Sequence, residues 1–126
     1  MTPAPDLQFL DFDVSDNADG QFTWNALATV SEAQWPALRT EAQALLRWAH
    51  AHLDGQPGPW DEGGDWDVDL QLQRELVQND TLDYDALHDR LIHTQAAQGH
   101  TRYVLSLTLS GGPALDATLR EALGHA

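Results

Sequence analysis

Acidic residues are concentrated in one stretch of the chain, and their carboxylates are the groups whose type and spacing could do chemistry. Hard cations such as Ca²⁺ and Mg²⁺ prefer several oxygen ligands, and a dense row of carboxylates also attracts the basic surface of another protein. The stretch lacks the spaced acids, central glycine and closing glutamate of a calcium-binding loop. We therefore predict a binding surface for a basic protein partner. Its residues are Trp60, Asp61, Glu62, Asp65, Asp67 and Asp69.

The other two kinds of site to weigh from residue types and spacing are a divalent-cation site and a catalytic site. Asp65, Asp67 and Asp69 alternate along one strand face, about 7 Å apart per step, so they are the candidate ligands of a divalent-cation site, the alternative function. No Gly-x-Ser-x-Gly turn, cysteine or lysine offers a nucleophile. The six histidines show no His-Glu-x-x-His spacing. We predict no catalytic residue and no cofactor, and we favour a non-catalytic role while leaving enzymatic activity open.

The charge balance restricts the partners. Twenty acids face six arginines, for a formal net charge of -14. Such a field repels nucleic acid and anionic lipid and attracts basic surfaces, although a high charge also serves to keep a small protein soluble. No apolar run approaches the roughly 18 residues of a membrane span, and no signal-peptide pattern opens the chain. We expect a cytoplasmic bacterial protein without nucleic-acid or membrane partners.

The acidic residues must be positioned by a strand, because Trp66, Val68, Leu70 and Leu72 alternate with Asp67, Asp69 and Gln71. Further alternating runs predict strands over 7–14, 21–30 and 101–110. Apolar residues at helical spacing predict three helices, over 31–53, over 82–98 and from Pro113 onward. The first of these begins with a Ser31–Gln34 capping box. In the second of these helices, Tyr84, Leu87 and Leu91 form the apolar side.

These elements predict the fold. Their order is β-β-α-β-α-β-α, and every strand is apolar on one side only, which is typical of a sheet covered by helices on one face. We predict an α+β two-layer sandwich with one mainly antiparallel four-stranded sheet. The whole chain, 1–126, forms a single domain, and residues 1–6 are a loose lead-in.

Three hypotheses for function follow. The first is a binding module that docks a basic protein through the acidic strand and Trp60, as an inhibitor, an immunity-type protein or a nucleic-acid mimic would. The second is a protein or enzyme that uses a divalent cation bound at residues 61–69. The third is a homodimer whose sheets or partly exposed tryptophans, Trp48 and Trp60, pair with each other.

Overall fold

The computed structural model describes residues 4–124, except for the side chain of Trp60. The chain forms six strands and two α-helices, with a short 3-10 helix at Trp60–Glu62. In chain order the elements are β1 (Phe12–Asp16), β2 (Phe22–Ser31), α1 (Trp35–His52), β3 (Trp66–Val77), β4 (Thr81–Asp85), β5 (Arg90–Thr94), β6 (His100–Gly111) and α2 (Pro113–Leu123). The predicted mixed α+β class is confirmed.

Four of the strands form one antiparallel sheet in the order β1-β2-β6-β3. The long strand β6 lies at the centre and pairs with β2 on one side and with β3 on the other. Leu107 of β6, for example, lies between Ala26 of β2 and Leu70 of β3. Strand β3 is therefore an edge strand, and the predicted bounds of this strand, Trp66 to Val77, are confirmed.

The two faces of the sheet differ sharply in burial. We call the face that carries Trp24, Ala26, Leu107 and Leu109 the inner face, because these side chains are fully buried. The alternate residues form the outer face, on which Leu27 is 62 % exposed. Buried residues of both helices join the inner face in one hydrophobic core. They are Leu38, Ala42, Leu45, Trp48, Ala49, Leu115 and Leu119.

A buried carboxylate fixes the chain before β1. Glu41 of α1 accepts hydrogen bonds from the backbone N–H groups of Gln8, Phe9 and Leu10, at 3.0 Å from Phe9 and 2.8 Å from Leu10. The predicted strand over 7–14 was wrong in its first half for this reason: the amides of 8–10 are bound to a helix side chain, and strand pairing begins only at Phe12.

The reciprocal hydrogen bonds predicted between Ser31 and Gln34 are present, but they do not cap a helix, because Ser31 ends β2 and α1 begins only at Trp35, so the predicted helix start at residue 31 was wrong. The backbone N–H of Gln34 donates to Ser31 Oγ at 3.2 Å, and the backbone N–H of Ser31 donates to Gln34 Oε1 at 3.1 Å. These reciprocal bonds close the turn between β2 and α1, and the N-cap residue Gln34 makes no side-chain cap to the helix itself. Trp48 was wrongly predicted to be partly exposed, since α1 also buries the side that carries it and Glu41.

The predicted helix over 82–98 was wrong, and the element order is β-β-α-β-β-β-β-α. Residues 80–94, which we call the arm, contain the antiparallel hairpin β4–β5, a second two-stranded sheet. Its turn begins at Asp85, whose Oδ1 accepts the N–H of Leu87 at 3.1 Å, and ends at Asp89 with a positive φ of 47°. Aspartate favours both features, and they compete with helix formation.

Candidate protein-binding site

The residues of the predicted acidic stretch are divided between the short 3-10 helix, the loop that follows it and β3. Asp61 and Glu62 lie in the short 3-10 helix that follows α1, and both are exposed. Asp67 and Asp69 lie on β3, where Asp67 is half-buried and Asp69 is exposed. The predicted contact of the Trp60 side chain lies outside the described residues.

Asp65 closes the loop that leads into β3. Its carboxylate Oδ2 accepts the backbone N–H of Gln56 at 2.7 Å, and its own N–H donates to the Gln56 carbonyl at 2.8 Å. A Cβ atom at Gly55, whose φ is 92°, would lie 2.5 Å from the Asp65 Cβ. The tight approach therefore requires glycine at position 55, and it engages the Asp65 carboxylate within the chain.

Asp67 and Asp69 are on the outer face of the sheet, in rows that cross all four strands. One row runs from Asp69 through Thr108 and Asn25 to Asp13. In its centre, Asn25 Nδ2 donates to Thr108 Oγ1 at 2.6 Å. The sheet thus adds Asp13 to the acidic face, a residue that the sequence argument did not single out, although its alternation with the apolar Phe12 and Val14 was the available signal.

On this face Glu75 is paired with Arg102 at 2.6 Å, whereas Asp67 and Asp69 have no neutralising side chain nearby among the described residues. Asp69 accepts only the side-chain amide of Gln71, at 3.2 Å, and Asp67 accepts the backbone N–H of Val68 at 2.9 Å. Across residues 4–124, no arginine or histidine lies within ion-pair distance of Asp67 or Asp69. The negative charge of this end of the outer face is therefore fully available to a partner.

The backbone edge of β3 that faces away from β6 is open. The loop after α1 covers only its first residue, where the N–H of Gly58 donates to the carbonyl of Trp66 at 2.8 Å and Pro57 bridges to Trp66. From Asp67 to Val77, strand β3 pairs with β6 alone. An open edge presents a row of unpaired N–H and C=O groups, which is a template for another strand.

Beside the open edge, the inner face ends in an apolar groove. The groove lies between α1 and β3 and has a volume of about 330 Å³. Leu70 and Leu72 remain 48 % and 50 % exposed, although their β6 neighbours Leu107 and Leu105 are buried. The core therefore covers β3 at Trp66 and Val68 but leaves it half-covered at Leu70 and Leu72. The groove is lined by Trp35, Arg39, Ala42, Gln43, Leu46, Leu70, Gln71, Leu72 and Leu105.

The groove differs in charge from the rest of the chain. The one acid of α1 is Glu41, which is buried, whereas Arg39 and Arg47 are exposed on the same helix. Arg74 follows Leu72 on the inner side of β3. Among the described residues, Arg39 and Arg74 make no ion pair. In a chain of net charge -14, the inner side of this edge is apolar and positive, while its outer side is acidic.

The arm is a further surface that sequence reasoning missed. Leu82, Tyr84 and Leu91 lie on one face of the hairpin and are 62 %, 60 % and 65 % exposed. The backbone N–H of Ala96 and the ring of His93 both donate to Asp80, and these two bonds lower the pKa of its carboxyl.

The described residues offer no metal centre. Across residues 4–124, no group of three or more histidine, cysteine, aspartate or glutamate side chains is arranged to hold a metal ion. Asp65, the first of the candidate ligands, is bound to Gln56 instead of facing Asp67 and Asp69. Neither helix of the described chain is long and apolar enough to cross a membrane.

Comparisons with protein-family models, with curated proteins and with solved structures give no match. Any function must therefore be argued from the surfaces of this molecule: the open edge of β3, the acidic outer face, the apolar groove and the arm.

Proposed function

We propose that this protein is a binding module that takes up an extended segment of a basic protein partner along the open edge of β3. The observation that carries the proposal is the difference between the two sides of that edge. A strand added to a sheet edge gains backbone hydrogen bonds, and its alternate side chains meet the surfaces on either side. Here one side offers Asp67 and Asp69 and the other offers Leu70 and Leu72.

The contrast between the acidic outer side and the apolar inner side of the β3 edge determines which side chains the partner strand should carry. Side chains of the added strand that point to the outer face would meet unpaired carboxylates, so lysine or arginine suits these positions. Side chains that point to the inner side would enter the groove between α1 and β3, where apolar residues suit Leu46, Leu70 and Leu72. A basic residue in the groove would lie near Arg39 and be repelled. The preferred segment therefore alternates basic and apolar residues.

This proposal rests on an arrangement of two layers. We infer that α1 and α2 both cover the inner face and that the outer face has no covering layer. In support, the buried residues of both helices and of the inner face form a single core, whereas Leu27 and Thr29 on the outer face are exposed. Partner side chains would then reach Asp67 and Asp69 without displacing any element.

The proposal can be tested with two synthetic peptides of ten residues and identical composition. One alternates arginine and valine, and the other places five arginines before five valines. Isothermal titration calorimetry at low and at physiological salt should show tighter binding of the alternating peptide, since the block peptide cannot satisfy both sides of the edge. Chemical-shift changes in NMR spectra should be concentrated on β3.

Charge variants sharpen the test. Asp67→Asn with Asp69→Asn should weaken binding of the alternating peptide about 2- to 30-fold, because each of the two exposed ion pairs is worth roughly 0.2–1 kcal/mol, and the loss should shrink as salt rises. Asp16→Asn with Asp19→Asn removes the same charge from the end of β1 and the turn after it, and should change affinity little. Equal binding of both peptides, or equal effects of the two charge pairs, would refute the proposal.

A further inference from the structure

The arm presents an apolar face that no part of the described chain, residues 4–124, covers. Leu82, Tyr84 and Leu91 share one side of the β4–β5 hairpin and are each exposed by 60 % or more. An isolated two-stranded hairpin is at best marginally stable in water, and a hydrophobic face needs a surface to pack against. The arm therefore gains stability when another apolar surface covers this face.

The groove between α1 and β3 is an apolar surface of this kind. We infer that the apolar face of the arm packs into this groove on a second copy, so that two chains exchange arms and form a twofold dimer. The arm does not occupy its own groove, because Leu70 and Leu72 stay half-exposed in the single chain.

The net charges of the arm and the groove favour a contact between arm and groove over a direct contact between two arms. The arm carries four carboxylates, of Asp80, Asp83, Asp85 and Asp89, against one arginine, so two arms repel each other. The groove carries the unpaired Arg39 and borders Arg74, with no exposed acid on α1. The arm as a whole is therefore negative and the groove positive, which favours their association, with Asp83 and Asp85 on the hairpin face opposite Leu82, Tyr84 and Leu91.

The area involved is sufficient for a specific dimer. An aromatic side chain buries on the order of 150–250 Å² when it is fully covered, and the arm leaves Tyr84 and the smaller side chains of Leu82, Leu87 and Leu91 more than half exposed. A twofold axis repeats the contact, so the arm–groove pairs together would bury roughly 1,000–1,500 Å², at the lower end of the range of stable interfaces. Arm exchange about a twofold axis also closes the assembly, since each copy gives one arm and receives one.

This inference rests on the proposed function in one respect: the groove used by the arm borders the edge that would take the extended partner. Dimerisation would therefore compete with partner binding, and the arm would regulate access to β3. The two ideas remain separable, because the oligomeric state and peptide binding are measured independently.

The test uses the full chain and two kinds of variant. The arm variant is Leu82→Asp with Leu91→Asp, and the groove variant is Leu70→Asp with Leu72→Asp. Sedimentation equilibrium should give the wild type twice the 13.9 kDa mass of one chain and give either variant alone the mass of a monomer. Leu27→Asp with Thr29→Asp adds the same charge on the outer face and should leave the dimer intact.

Mixing the two variants identifies arm exchange specifically. The groove variant keeps a functional arm and the arm variant keeps a functional groove, so an equimolar mixture should form heterodimers through one intact contact, with weaker association than the wild type. A groove variant that still dimerises would mean that arms pair with each other. An arm variant that still dimerises, or a wild type that is monomeric at millimolar concentration, would also overturn the inference.

Peptide binding separates this inference from the proposed function. The arm variant is expected to be a monomer with a free β3 edge, so the alternating arginine–valine peptide should bind it more tightly than it binds the wild type at concentrations where the wild type is a dimer. No binding to a monomeric arm variant would refute the proposed function and leave arm exchange standing. Equal binding to both proteins would refute the competition. Circular dichroism spectra matching the wild type would show that the variants are folded.

Discussion

The buried carboxylate of Glu41 supports the sharpest prediction about stability. It accepts three backbone N–H groups, from Gln8, Phe9 and Leu10, and ties the start of the chain to α1. In Glu41→Gln one oxygen is replaced by an NH₂ group, which places a donor against a donor. Hydrogen bonds to a charged group contribute about 1.5–3 kcal/mol and those to the remaining amide oxygen about 0.5–1.5 kcal/mol, so about 1 kcal/mol is lost there, and a buried donor left without an acceptor costs a further 1–3 kcal/mol.

We therefore expect Glu41→Gln to lower the free energy of unfolding by about 2–4 kcal/mol. For a chain of this length, this corresponds to a fall in the melting temperature of roughly 8–16 °C. Urea denaturation followed by circular dichroism measures the free energy, and hydrogen exchange of the amides of residues 8–10 should accelerate. Glu121→Gln, which removes an exposed charge from α2, should stay within about 0.5 kcal/mol of the wild type. A loss below about 1 kcal/mol for Glu41→Gln, with unchanged exchange, would refute this reasoning.

Two further predictions concern single side chains. Trp24→Phe should lower the free energy of unfolding by about 1–3 kcal/mol more than Trp66→Phe does. The reason is that Trp24 Nε1 donates to the buried carboxylate of Asp116 at 2.9 Å, whereas Trp66 Nε1 is buried without a hydrogen-bond partner in the described chain. Equal losses of the two variants in urea denaturation would contradict this prediction. The carboxyl of Asp80 has a pKa below its ordinary value, because it accepts hydrogen bonds from the backbone N–H of Ala96 and from the ring nitrogen of His93. Its stabilising effect on the arm is therefore complete above the unfolded pKa of about 3.9. The effect is lost as the pH falls through the lower pKa of the folded state. An NMR titration of the Asp80 carboxyl carbon checks this, and a midpoint equal to that of the urea-unfolded chain would count against it.

The sequence predicts the sheet well where the burial of one face imposes a period of two. Strand β3 was predicted with its observed bounds, and β2, β6 and α2 begin within one residue of the predicted positions. In each case alternating or helical spacing coincides with a core on one side only. The mainly antiparallel four-stranded sheet was predicted as well, but the strand order and the edge position of β3 were not, because strand order depends on contacts between residues far apart in sequence.

The arm shows why such a pattern can mislead. The spacing of Tyr84, Leu87 and Leu91 fits a helix. In the structure none of these side chains is buried, so the spacing does not correspond to a face packed against the core. The local signals for a hairpin were aspartates able to form a turn at Asp85 and Asp89, flanked by β-branched and aromatic residues. Glu41 was missed for a different reason: its three partners lie more than 30 residues away, and nothing local marks a carboxylate that will be buried.

The acidic site was predicted in part. Alternation correctly placed Asp67 and Asp69 on the polar side of a strand. The contribution of Asp13 and the positive groove behind β3 depend on the sheet order and on the position of α1, which a single sequence does not specify. Asp65 could not be distinguished from its neighbours, since its bond to Gln56 depends on the loop closing around Gly55.

The position of the hairpin between β3 and β6 has a consequence for the order in which the chain folds. Val77 and His100 pair although 23 residues separate them, and closing such a loop costs entropy before any contact forms. Once the four-residue turn after β4 has closed, however, the same two residues are held near each other, and pairing can continue strand by strand into β3 and β6. Pairing of β2 with β6 must close a loop of about 70 residues or more, so it should come later. The hairpin is thus placed to act as a nucleus that sets the register of the central strands.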